Sequence, residues 1–378
     1  MLFDRQSLKD ILKISARSFP LRARKSRYVA GMTTAFASLR SFVHLTWLAD
    51  ELLFSGFKDT KVEAPVFIFA NARSGTTLLH HLMSLDEERF THFKLYQTIF
   101  PSVTAYKAVG VLNGLNRVSS GALDRVVDLI NRKYFNGFEG IHTLGLDRPE
   151  EDECVFLYTM LSPTLLLLFP DTDDLPRQAG MDRTDPGTQR DLMDYYEQVL
   201  KRHVYGTGGD RTLLNKNVFT SPRAGALLEK FPDARFVYLV RHPYNSIPSM
   251  LNLFYRAWEA HSPEIPKDSP ETKALAQLAI DYYRAGLDFR ESVPSEQYYL
   301  LRYDDLIADP RRAVEGIYQH FQMDISTAYQ ERLLEACDQR SASTFKSTHS
   351  YSLEGFGLTP EFIHGQLGDL FDEFGFER

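Results

Sequence analysis

Apolar and polar positions along this chain follow two periods, and the alternation between them predicts its architecture. Val66-Phe67-Ile68-Phe69-Ala70 is an unbroken apolar run introduced by Pro65 and closed by a polar turn, and Leu78 to Leu85 continues at helical spacing. Strand, polar turn and helix in that order open a βαβ unit. Arg235-Phe236-Val237-Tyr238-Leu239-Val240 repeats the pattern after the turn Phe231-Pro232-Asp233-Ala234, and Gln297 to Tyr303 forms a third run before Asp304-Asp305-Leu306. Helical spacing fills 190–203, 271–290 and 310–322. Residues 1–60 also read as helix, punctuated by Pro20 and Gly31, and the Asp-, Pro- and Gly-rich stretch 170–190 reads as a loop. Strands alternating with helices predict an α/β fold, a parallel sheet flanked by helices on both faces. The expected division is a helical N-terminal extension, 1–60, and one catalytic domain, 61–378.

Composition narrows the class. The chain has 378 residues, with 43% hydrophobic and 25% charged positions, which excludes disorder, collagen and low complexity. Its 43 Lys+Arg against 50 Asp+Glu leave a net charge of −7, so it lacks the basic surface of a general nucleic-acid binder. The charge is unevenly spread. Residues 1–40 carry nine basic and two acidic side chains, a net +7, and the rest of the chain carries −14.

Cys154 and Cys337 make no disulfide framework and read as small buried hydrophobes. Lys9, Asp10, Lys13 and Arg17 interrupt any signal-peptide core, and the chain contains no Asn-x-Ser/Thr sequon. The uncharged stretch from Cys154 to Pro170 is short for a membrane span and contains Pro163, so it is expected to be a buried helix. A cytoplasmic protein follows as the expectation, with any membrane contact peripheral.

Two polar turns carry the chemistry. Arg73-Ser74-Gly75-Thr76-Thr77, between the first strand and its helix, can present backbone N–H groups, hydroxyls and a guanidinium to an anion. It is not a nucleoside triphosphatase loop: the G-x-x-x-x-G-K-[ST] pattern needs Gly at Ala70 and Lys at Thr76. The second strand ends in Arg241, where a magnesium-holding Asp would be expected. An Arg at that point faces the crevice where open α/β sheets bind ligands, and Ser249 follows about two helical turns later.

Arg-Ser-Gly-Thr-Thr after one strand and Arg…Ser at a spacing of eight after another resemble the sulfotransferases, whose sulfuryl donor is 3′-phosphoadenosine-5′-phosphosulfate (PAPS) and whose nucleotide product is adenosine 3′,5′-bisphosphate (PAP). Asp147-Arg148-Pro149-Glu150-Glu151-Asp152-Glu153, Phe231 to Phe236, Tyr303-Asp304-Asp305-Leu306 and Lys346 to Leu353 are similar, in the same order, to the bacterial-type branch of that family. The resemblance implies a P-loop-like fold and no metal. It implies that Arg73, Ser74, Gly75, Thr76 and Thr77 hold the 5′-phosphosulfate, and that Arg241 and Ser249 hold the 3′-phosphate. Lys346, Ser347, Thr348 and His349 would close over the nucleotide. The loop departs from many members in carrying Arg73 in place of Lys, and Pro248 restricts the helix just before Ser249.

Sulfuryl transfer needs cations at the transferring group and a base for the acceptor hydroxyl. Arg73 is the first cation candidate; Lys216 is the second, because a lysine in this region recurs in the branch that the chain resembles. For the base, Pro149 at a helix start would place Glu150, Glu151, Asp152 and Glu153 in one first turn, where repulsion and an apolar wall raise a carboxyl pKa. Glu151 ranks first and Glu150 second, with His142 as the rival. Three other classes stay open: a magnesium-dependent small-molecule kinase, an idle nucleotide-binding relative and a membrane-surface binding protein. The expected acceptor is a small-molecule, lipid or carbohydrate hydroxyl, with no nucleic-acid partner. The basic arm would pack on the acidic body or on a second copy; an anionic membrane surface is the less favoured choice.

Overall fold

All the strand pairings are parallel, as they must be when consecutive strands are joined through helices on the sheet faces. In this computed structural model the described residues are 5–6, 8–9, 12–13, 23–118, 146–170, 180, 184–342 and 352–378. After helical residues at 5–6, 8–9 and 12–13 come α1 (Ala23–Leu53), β1 (Val66–Ala70), α2 (Thr76–Ser84), β2 (Phe90–Thr91), α3 (Leu95–Ile99) and α4 (Val103–Val118). Next come α5 (Glu153–Leu157), α6 (Leu165–Leu168), α7 (Pro186–Gly206), β3 (Thr212–Lys216), α8 (Ala224–Lys230) and β4 (Arg235–Val240). The remainder is α9 (Pro243–His261), α10 (Pro270–Ser292), β5 (Tyr298–Arg302), α11 (Tyr303–Ala308), α12 (Pro310–His320), α13 (Thr327–Ala342) and α14 (Pro360–Phe374).

The sheet order is β2-β3-β1-β4-β5. β1 is therefore central, with the chain leaving it toward one edge and later returning to the other. The C-terminal end of β1 is the switch point where such sheets open a crevice. Alternation along the strand explains how both faces are filled. Phe67 and Phe69 join one core cluster with Phe236, Tyr238 and Phe289, while Val66, Ile68 and Ala70 join a second with Leu79, Leu239, Ile317 and Tyr318. Each such side chain taken from water contributes about 1.5–3 kcal/mol, so a strand buried on both faces is strongly held in register.

The three expected strands and the long helices are present. Three details differ from expectation. α1 runs through Gly31 without a break. The stretch 154–170 is two short helices, α5 and α6, because Met160 takes a left-handed φ of 64° and Pro163 follows. Pro149 starts no helix; it forms an isolated bridge with Lys94, and the Glu150 N–H donates to the Phe93 carbonyl. Asp152 occupies the N-cap position of α5, so only Glu153 of the four acids lies in a first turn.

Candidate active site

The loop after β1 bends back on itself because Arg73 and Gly75 both have positive φ, 70° and 88°. For Arg73 that conformation costs about 1–3 kcal/mol and persists only where neighbours enforce it. The neighbours are Arg241 and Ser249. The Arg241 Nη1 donates to the Arg73 carbonyl at 2.5 Å, and the Arg73 Nε donates to the Ser249 Oγ at 3.3 Å. Two motifs more than 160 residues apart in sequence thus form one hydrogen-bonded unit. The helix ladder of α2 begins with the Leu79 N–H on the Gly75 carbonyl, which leaves the N–H groups of Thr76, Thr77 and Leu78 outside the ladder at the loop.

Arg241 is set from below and behind. Its guanidinium stacks 4.2 Å from the centre of the Tyr303 ring, and its carbonyl accepts from the Tyr283 hydroxyl at 2.7 Å. Tyr283 also meets the Ser246 hydroxyl at 2.5 Å. Tyr303 reaches under the loop as well: a Cβ on Gly75 would stand 3.0 Å from its ring, so any side chain there would push on the ring and hold a strained φ of 88°. The Arg241 Nε and the Asn71 Oδ1 are buried without a hydrogen-bond partner among the described residues. Of the two, the Arg241 Nε is a donor that an anionic ligand beside the strained loop would satisfy, whereas the Asn71 Oδ1 is an acceptor and calls for a donor instead. Pro248 is accommodated inside α9, and Ser249 is 9% exposed.

Across the switch point, Lys216 ends β3 opposite Ile68 of β1 and is only 1% exposed. Its Nζ lies 2.7 Å from the Glu151 Oε1, 3.7 Å from the Glu150 Oε1 and 3.4 Å from the Thr77 Oγ1. One buried ammonium therefore joins the acid run to the loop. Asn215 and Asn217 flank Lys216 and point to the other face of the strand. Their Nδ2 groups donate to the Asp152 carboxylate at 2.8 and 2.7 Å, and the Tyr196 hydroxyl donates to it at 2.5 Å. Glu153 accepts from Asn217, from Ser162 and from both Nη atoms of Arg223. The four acids are thus divided by strand alternation: Glu150 and Glu151 on the loop side, Asp152 and Glu153 in the core. The carboxyl that burial pushes up, to about 6, is Asp152, which is held by three donors away from the loop.

Of the sequence candidates, the structure brings together Arg73 to Thr77, Arg241 and Ser249, and joins Lys216, Glu151 and Glu150 to the same loop through Thr77. His142 and the Lys346, Ser347, Thr348 and His349 stretch lie outside the described residues. Sequence reasoning did not assign Tyr303 and Tyr283 as supports of Arg241. Their signal was the aromatic at a strand end and an aromatic pair on a long helix, which is the signal of any core. Among the described residues no group of three or more His, Cys, Asp or Glu side chains is placed to hold a metal ion.

A central parallel strand, a loop of arginine, glycine and hydroxyl residues at its C-terminal end and cations converging from the neighbouring strands form the switch-point crevice of an α/β fold, with a chemistry suited to a phosphate-type anion. Residues 65–327 match the sequence model of the Sulfotransferase family, and the chain belongs to that family. It is 28% identical over 329 residues to omega-hydroxy-beta-dihydromenaquinone-9 sulfotransferase Stf3 of Mycobacterium bovis and Mycobacterium tuberculosis, spanning 84% of this chain and 76% of the relative. The fold is similar to sulfotransferase STF9 from Mycobacterium avium, with a TM-score of 0.77 at 19% identity over 100% of this chain and 93% of that one. It is also similar to STF1 from Mycobacterium tuberculosis H37Rv, with a TM-score of 0.71 at 22% identity over 97% and 92%.

Proposed function

We propose that this sulfotransferase moves the sulfuryl group of PAPS to the hydroxyl of a lipid acceptor, without a metal. The observation that carries the reading is the position of Lys216, whose buried ammonium links the loop hydroxyl of Thr77 to the Glu151 carboxylate. In this reading the acceptor oxygen attacks sulfur in line and its proton passes to Glu151. The bond from sulfur to the 5′-phosphate oxygen breaks, and the electron pair leaves with PAP. Arg73 and Lys216 offset the charge that develops on the leaving oxygen, in a site where burial strengthens each interaction. Arg241 and Ser249 hold the 3′-phosphate, and an arginine can do so with two parallel hydrogen bonds. Glu150 stands behind Glu151, its Oε1 accepting from the Glu151 backbone N–H at 2.9 Å. The acceptor class rests on the relative named above, whose own substrate is a hydroxylated menaquinone.

Thermal unfolding with added PAP, without magnesium, tests the nucleotide half of the proposal. The expected result is a clear rise in Tm with PAP and none with ATP and magnesium. Protection by ATP and magnesium alone would make the chain a phosphoryl-transfer enzyme instead. Transfer of labelled sulfate from PAPS to long-chain, carbohydrate and phenolic alcohols tests the acceptor half. Turnover confined to carbohydrates or phenols refutes the lipid assignment.

A further inference from the structure

Helix α1 is apolar on two opposite sides. Val43, Trp47 and Asp50 face the body and are buried. Asp50 is fixed there by the Arg202 Nε at 3.2 Å, with the Arg202 guanidinium stacked between the Trp47 and Phe57 rings at 3.8 and 3.9 Å. At about 100° per residue, Leu45, Leu48 and Leu52 fall on the side directly opposite. They are 63%, 50% and 84% exposed. Three large apolar side chains aligned on one exposed side form a contiguous apolar stripe, the mark of a contact surface. Helix α4 packs against α1 and itself leaves Val111 and Leu112 exposed.

The charges on this part of the chain select the partner. From residue 11 to residue 49 there are seven Lys and Arg and no acid, and α4 carries Lys107 and Arg117 with no acid. The two acids of α1, Asp50 and Glu51, are both engaged by Arg202. The rest of the chain is strongly acidic. A second copy seated on this face would bring two basic segments together with no carboxylate on the face to pair them. Arg40 is turned to the body, where it donates to the Tyr158 carbonyl, while Arg27 and Lys107 are exposed, so an anionic surface would attract this basic segment and repel the acidic body.

We infer that α1 docks the enzyme on an anionic lipid bilayer, lying in the interface with Leu45, Leu48 and Leu52 inserted and the net positive charge of this segment drawing it to the headgroups. Among the described residues no helix is long and apolar enough to cross a membrane, so docking is along the surface. The inference rests on exposure and charge and does not depend on which alcohol is sulfated.

Co-sedimentation of the full chain with phosphatidylglycerol–phosphatidylcholine vesicles and with pure phosphatidylcholine vesicles tests it. Binding is expected to be at least about tenfold tighter to the anionic vesicles and to weaken as salt rises from ~0.1 M to ~0.5 M. The double variant Leu45→Glu, Leu52→Glu should lose about tenfold or more of that binding, with the Tm and the PAP-induced Tm shift unchanged, because both side chains are exposed. Wild-type protein that stays in the supernatant overturns the inference, as does a variant that binds like wild type. If the variant instead turns a dimer into a monomer in light scattering and vesicle binding is unaffected, the stripe joins two copies.

Discussion

Lys216 and Arg223 are both buried cations near the end of β3, and both take their carboxylates from the same run of acids, yet they are held very differently. Arg223 meets both oxygens of Glu153, stacks 3.9 Å over Phe156 and shares Glu153 with Ser162 and Asn217. Every oxygen of that pair is occupied and its geometry is over-determined. Lys216 makes one close contact, to Glu151, and two longer ones, to Glu150 and Thr77. An arginine fork locks a structural joint, whereas a lysine on a flexible stem can redirect its three donors to an arriving anion. The contrast separates a joint that supports the site from a pair able to act in it.

The sharpest way to break that contrast is to neutralise each carboxylate. Glu151→Gln should slow turnover by about 10²–10⁴ while the PAP-induced Tm shift survives. Glu153→Gln should instead lower stability, by about 3–5 kcal/mol in urea unfolding, because Arg223 keeps its charge in a buried place without a counter-ion. If Glu153→Gln is as stable as wild type and Glu151→Gln unfolds the protein, the two pairs have been assigned the wrong way round.

Smaller effects sharpen it on the loop side. Gly75→Ala forces a side chain into a left-handed φ and against the Tyr303 ring that also supports Arg241. A loss of about 1–2 kcal/mol of stability is expected, together with weaker PAP binding by titration calorimetry. Wild-type PAP affinity in Gly75→Ala would dissociate the loop from nucleotide binding.

The supporting core also carries a pH dependence. Burial lowers His203 to about 3 and His92 to about 4, so the folded state keeps them neutral where the unfolded chain would protonate them. Stability present above about pH 6.5 is therefore lost as pH falls toward 4 and then 3, by on the order of 3 kcal/mol per fully buried imidazole. Asp152 acts in the opposite sense. Its pKa is raised to about 6 by burial, so its ionisation weakens the fold as pH rises from ~4 to ~6. His203→Phe should flatten the acid limb of a stability profile, since Thr91 retains its bond to Thr207. An unchanged limb would show that His203 is protonated without cost in the fold.

Much of this was legible in advance. β1, β4 and β5 announced themselves as apolar runs because the helices packed over the faces of the sheet require apolar side chains. The short β2 and the polar end of β3 did not, since Asn215 and Lys216 in the strand, and Asn217 just after it, have acids as partners rather than a hydrophobic face. The loop residues were legible because glycine, hydroxyls and arginine in a βα turn are few ways of meeting one chemical need. The supports were not: nothing in the spacing of Tyr283, Tyr303 and Arg241 distinguishes them from core residues.

Read alone, the chain was enough for an α/β fold with a parallel sheet, for an anion loop without a triphosphatase lysine, and for a sulfotransferase resemblance. Those follow from local periodicity and from motifs whose chemistry is contiguous. Tertiary structure alone decided which of four consecutive acids faces the loop, because strand alternation at β3 sends Lys216 one way and its asparagines the other. It alone showed that α1 has an uncovered apolar side, since periodicity says that a residue is apolar and only packing says what it touches.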